Sequence, residues 1–335
     1  MRRDVCGLAL SLTVLAVAMR CVAASETNGG MKLYVSNSLG DDISVIDLGT
    51  LQVTGDIRVG EQVHGVCAPA NGRQLFTTIE SEKNLKVIDT ATNKVTDVIP
   101  LTGRPNQCAA TPDGRFVGVP IRDGNSVDIV DMAEKRVVKV LPVNVPHNCY
   151  SAGNNDILFV SSMGSHEIDV IDLKKLAYSG KIPVGGIPRP YAVTKDGKTM
   201  YVALTDLHGF VVASIPERKV IRRVELPSAP PLTCLLEPRT PTHGLELSPD
   251  GKELWVTSLA DGGVYVYDIA TRKLSPKIHT GACPNWITFS PDGHYCCVSN
   301  SGSDDCSIID TRSRQEVARV KVGKGPKRLL VVNVP

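Results

Sequence analysis

Three features of the sequence predict an all-β chain folded as a seven-bladed β-propeller of four-stranded antiparallel blades. One pattern recurs along nearly the whole chain, its equivalent positions 64, 106, 147, 189, 243, 285 and 327 lying 42, 41, 42, 54, 42 and 42 residues apart. Each copy holds four short runs rich in Val, Ile and Leu, divided by turn residues, with no amphipathic helix of useful length between them. The two ends of the chain carry complementary fragments of one further copy, so pairing of the N- and C-terminal strands closes the ring.

The copies read, for example, "VHGVCAPANGRQLFTTIESEKNLKVIDTATNKVTDVIPL" and "PNWITFSPDGHYCCVSNSGSDDCSIIDTRSRQEVARVKV". The first strand of each enters after a Gly/Pro-containing stretch. Asn-Gly or Asp-Gly pairs at 71–72, 113–114, 196–197, 250–251 and 292–293 lead to the second strand, because Gly and Asn tolerate positive φ in tight hairpins. Polar turns lead to the third and fourth strands. A four-stranded unit cannot bury both faces alone, so copies must stack, and repeats of this size and strand count stack radially around a channel. Six copies are complete. "KLYVSNSLGDDISVIDLGTLQVTGDIRV" lacks a first strand and "PKRLLVVNVP" is only a first strand; together they make the seventh blade and hide the edges that a linear stack would expose.

The "LYVSN", "SVIDL" and "SPDGKELWV" elements resemble those of YVTN-type β-propeller repeats. The resemblance covers essentially the whole chain beyond the leader. It implies a seven-bladed propeller of a kind common among exported and surface proteins, without implying one activity. Related-looking blades occur in the haem-binding propeller of cytochrome cd-type nitrite reductase and in the heavy chain of methylamine dehydrogenase, but their functional residues find no match here.

Residues 1–24 have the layout of a secretory signal peptide: a basic start "MRR", an apolar run "GLALSLTVLAVAM", and small residues up to Ala24. Cleavage near Ala24 leaves 25–335 as a single domain of 335 − 24 = 311 residues, secreted or periplasmic. The leader holds Arg2, Arg3, Arg20 and Asp4, so the remainder has 37 − 3 = 34 basic and 35 − 1 = 34 acidic residues. That balance argues against bulk attraction to nucleic acid or anionic membranes, and no later segment is apolar for long enough to span a bilayer. The chain is read as a monomer.

Charged function must then be local, and the repeat points to where. His64, Asn106, His147, Arg189, His243, Asn285 and Lys327, with Arg328 beside the last, occupy equivalent positions at the start of the innermost strands. None is apolar, where Val or Ile would serve a purely structural strand. The three histidines fall on alternating blades, and converging imidazoles hold a divalent metal at about 2.1 Å per nitrogen. Arg189, Lys327 and Arg328 suit a small anionic ligand. A purely structural rim, with the histidines capping strand ends, stands beside both readings. His166, His208, His279 and His294 fall in or near turns and are expected at the surface. Asp47, Asp89, Asp131, Asp172, Asp268 and Asp310 end equivalent third strands, and recurrence marks them as turn formers rather than catalysts.

The one long interval carries a Pro-rich insertion, 228–241, suited to a lid or a partner-docking loop. Its Cys234 is a candidate partner of Cys283, and Cys306 of Cys296 or Cys297 across a hairpin; buried free thiols are the alternative. Phosphate loops, nucleophile elbows, H-E-x-x-H and C-x-x-C-H are absent from the sequence. The resulting expectation is an exported binding or scaffolding module that presents its channel rim and insertion to a protein partner or small ligand. Its rivals are a metal-dependent propeller enzyme (a lyase, lactonase or redox-associated subunit) using His64, His147 and His243, and a cell-surface adhesin.

Overall fold

A computed structural model describes residues 30–151, 153–227, 234, 236 and 239–335. The proposed leader lies outside the described residues, as does most of the insertion. Seven separate four-stranded antiparallel sheets form the blades, and the only helical turn among the described residues is a single 3-10 turn at Met163–Ser165. The first blade is built as expected, with the C-terminal strand Pro326–Asn333 paired to Met31–Asn37, so the two ends close the ring.

Burial grades outward through each blade. The second strand of the second blade, Gln74–Ile79, is buried along nearly its whole length, whereas its fourth, Lys94–Pro100, is mostly exposed. Apolar residues of adjacent sheets interlock: Phe210 meets Tyr267 and Trp255 meets Phe289 edge to face, at 5.3 and 5.5 Å between ring centroids. The turns follow their chemistry. Gly72, Gly114, Gly197, Gly251 and Gly293 take φ between 65° and 74°, where a Cβ is strained. The third-strand aspartates accept turn N–H groups, at 2.6 to 2.8 Å for Asp47–Thr50, Asp89–Thr92, Asp268–Thr271 and Asp310–Ser313. In the fifth blade, which lacks the aspartate, the Ser214 hydroxyl accepts from Glu217 N instead.

Two blades depart from the ideal. The inner strand of the third is reduced to Ala109–Ala110 plus a bridge at Pro105. The fourth strand of the sixth is reduced to Ile278–His279, where Pro276 just before it cannot donate to a ladder.

The disulfide Cys234–Cys283 is formed, with Cα atoms 5.5 Å apart, and ties the insertion to the start of the seventh blade. The Cys306 pairing is not formed. The register places Cys306 opposite Ser299, and Cys296 and Cys297 opposite Ile309 and Ile308, so alternation along the strand sends the two neighbouring thiols to opposite faces. All three are free and buried.

Candidate functional site: a basic mouth on the propeller channel

Antiparallel pairing brings the start of each inner strand and the end of its second strand to one rim: Val63 lies opposite Ile79, Pro146 opposite Ser162 and Pro188 opposite Leu204. The register breaks just after these pairs, so His64, His147, Arg189 and, in the sixth blade, His243 sit at β-bulges. A bulge re-aims a side chain, here toward the axis. The second strands supply hydroxyls for amides that leave the ladder: Thr78 accepts from Gly65 N and Ser161 from Asn148 N, both at 2.7 Å. The glycine of the His-Gly pairs has a packing role. A Cβ on Gly65 would lie 2.7 Å from Cys108 N, and one on Gly244 would lie 2.8 Å from Asn285 O, so only glycine lets neighbouring inner strands approach this closely.

His64, His147, His243, Arg189, Lys327 and Arg328 together line one cavity of about 260 Å3 at this mouth. Asn106 and Asn285 do not line it. Both are buried, Asn106 with its Nδ2 and Asn285 with its Oδ1 lacking a partner, and Asn285 serves through its backbone carbonyl, which accepts from His243 Nδ1 at 2.9 Å. Two lining or supporting residues escaped the sequence reading. Arg122 lines the cavity and donates to Glu80 at 3.2 Å, and Glu80 also pairs with His64 Nδ1. Both immediately follow a second strand, and a polar residue at that repeat position was the available clue. His208 is likewise not at the surface: it is half-buried between the fifth and sixth blades, 2.8 Å from Ser258 Oγ.

Electrostatics keep the imidazoles neutral. Burial, opposed by the Glu80 hydrogen bond, lowers the His64 pKa to about 4. Burial, then the charges of Arg189 and Arg328, lowers that of His147 well below normal; burial and Arg328 do the same to His243. Burial pushes Glu80 up, but the hydrogen bond from His64 and the charges of Arg122 and Arg104 outweigh it, and its pKa falls to about 2. The partners assign the tautomers. Nδ1 of His64 faces the Glu80 carboxylate, that of His147 faces Asn148 Oδ1, and that of His243 faces a carbonyl, so each Nδ1 carries the proton and each Nε2 is left as an acceptor. Arg189 already donates to His147 Nε2 at 3.3 Å.

Arg328 is the central feature. The residue is 2% exposed, its guanidinium carbon lies 3.7 Å from the Trp286 ring centroid, and its Nε and one terminal nitrogen have no hydrogen-bond partner. Burial, then Arg189, lowers its pKa to about 9, which leaves it charged at neutral pH.

Among the described residues no group of three or more His, Cys, Asp or Glu is disposed to hold a metal ion. The cations among the imidazoles, Arg189 directly on one of them, oppose a further positive charge.

No protein-family model matches the chain. Antigen Lp49 of Leptospira interrogans is 27% identical over 154 residues, 44% of this chain and 31% of that protein, so the chain spans about a third of its relative's length. Among solved structures, Kuenenia stuttgartiensis hydrazine synthase superposes with a TM-score of 0.68 at 20% identity, over 81% of this chain and 95% of that one. A functionally unknown protein from Desulfotomaculum acetoxidans DSM 771 superposes with a TM-score of 0.74 at 14% identity, over 91% and 100%. These likenesses define the class: a seven-bladed β-propeller protein. At such identities they concern the fold alone.

Proposed function

We propose that this chain is an exported propeller of the YVTN-repeat kind, monomeric and acting as a binding module, whose basic channel mouth takes a small hydroxylated acid. The observation that carries the reading is Arg328, a charged guanidinium buried in the cavity wall with two nitrogens unpartnered. Buried charged donors cost free energy unless something accepts from them, and an anion in the mouth would do so. Arg122, Arg189 and Lys327 border the same space. The Nε2 acceptors of His64 and His243 favour a ligand that also brings hydroxyl donors. Export is supported by the leader-like residues 1–24, by the Cys234–Cys283 disulfide, and by the likeness to an antigen. No helix among the described residues is long and apolar enough to cross a membrane.

Calorimetric titration with tartrate and succinate at low ionic strength tests the reading. The two carry the same charge and differ in hydroxyl groups. Saturable binding, tighter for tartrate and lost in Arg328→Met, is expected. Absence of binding by both acids, or binding that survives Arg328→Met, would overturn it. Stoichiometric metal in the purified protein, lost on His147→Ala, would favour the metal-dependent enzyme instead.

A further inference from the structure

The channel has a second chamber, at the opposite end from the basic mouth. Its outer lining includes Ala70, Pro112 and Gly153, which belong to the turns that follow the inner strands. It encloses about 300 Å3, at the small end of the range for ligand sites. Its wall is made by later residues of the same inner strands and mixes apolar and aromatic side chains, Leu330, Tyr150, Tyr191 and Trp286 among them, with the polar Gln107, Asn148, Ser151 and Thr288. Among the described residues of that lining, Glu246 is the only acidic or basic side chain.

Glu246 is partly open to the chamber, whereas Leu245 before it is buried. The backbone N–H of Leu247 lies beside its carboxyl, and among the described residues no cationic side chain forms an ion pair with it. The titratable groups around it are Tyr150, Tyr191, Cys67, Cys108 and Cys149 in the lining and Cys296 behind it. Arg328 stands on the mouth side of the layer, against Trp286.

We propose that this chamber is a site for a small organic cation, an amine on an apolar or aromatic body, with Glu246 as counter-ion and the Tyr150 and Trp286 rings beside it. A lone carboxylate in an aromatic-walled chamber is complementary to an ammonium group, which it neutralises while the rings attract the cation through their faces. One carboxylate is too few donors for a metal. Burial pushes the Glu246 pKa up to about 7. An ammonium occupant requires the ionised form, so the affinity for an amine rises with pH through neutrality, and a neutral ligand of the same shape shows no such rise.

The test uses 2-phenylethylamine and 2-phenylethanol, titrated calorimetrically into the full-length protein at pH 6 and pH 8. The amine is expected to bind about tenfold more tightly at pH 8, following the ionised fraction of a carboxyl near 7, and the alcohol equally at both. Glu246→Gln removes the preference for the amine, and Arg122→Gln at the opposite mouth leaves it intact. Amine binding therefore stands or falls separately from acid binding at the mouth. Equal behaviour of amine and alcohol, no binding of either to folded protein, or an amine preference that survives Glu246→Gln would overturn the proposal. If Glu246→Gln does not fold, the pH comparison in the unaltered protein decides.

Discussion

The Arg328 guanidinium lies 3.7 Å from the Trp286 ring centroid, and Trp286 in turn meets the His243 ring edge to face at 5.7 Å. Through this stack one aromatic side chain ties the acceptor and donor sides of the mouth together, and it also forms part of the wall of the second chamber.

Arg328 is held by its surroundings at a cost to the fold. Replacing it with Met removes a desolvated charge and two unsatisfied donors, at the loss of one cation–π contact. Arg328→Met is expected to raise stability by about 1 kcal/mol, a shift of roughly 2 °C in Tm, while abolishing acid binding. A scanning-calorimetry Tm several degrees below that of the parent protein would assign Arg328 to structure instead.

The buried histidines make stability depend on pH. Their folded pKa values lie below the unfolded 6.5, so the unfolded chain takes up protons first as pH falls. Their contribution is complete above pH 6.5 and declines below it, for His64 until about pH 4. Glu246 acts in the opposite sense, stabilising at low pH and losing that contribution between its unfolded value and about 7. Asp169, pushed up to about 6 by burial, and Asp128, also raised by burial, act with Glu246, while His208, lowered by burial, acts with the other histidines. Four groups against three leave a positive slope on the order of 1 kcal/mol per pH unit between pH 5 and 6. Tm is expected to climb across that window, and less steeply in His243→Gln; a flat profile would mean that the histidines are not buried neutral.

Gly244→Ala places a methyl group 2.8 Å from the Asn285 carbonyl oxygen and the Trp286 Cα. Either the inner strands of the sixth and seventh blades separate or the His243–Asn285 bond breaks. A loss of about 1–3 kcal/mol is expected, with weaker tartrate binding. Urea denaturation that shows an unchanged midpoint would refute the close approach.

Cys234 and Cys283 are separated by 49 residues in the chain. Removing the bridge with Cys234→Ser is expected to cost up to about 4 kcal/mol through loop-closure entropy. Peptide mapping without reduction checks the pairing directly, and should find Cys296, Cys297 and Cys306 as free thiols.

The architecture was legible because a propeller is written in local and periodic terms: alternating apolar residues make the strands, Asx-Gly pairs make the hairpins, and a broken copy at each end dictates closure. The ring of positions from His64 to Lys327 was legible for the same reason, since equal places in equal repeats must share a rim. What each member does was not. Asn106 and Asn285 occupy the same repeat position as His147 and Arg189 yet lie buried outside the cavity, because the local course of the backbone determines whether a side chain reaches the axis. Arg122 and Glu80 come from different strands, and strand pairing alone brings them to the mouth. Nor did any spacing encode the surroundings of the three histidines, namely guanidinium groups supplied by other blades. Sequence by itself determined the repeat, the blade count and the rim. Only the tertiary structure decided which charges share one desolvated space, because burial and the distances between blades set protonation, and with it what the channel can hold.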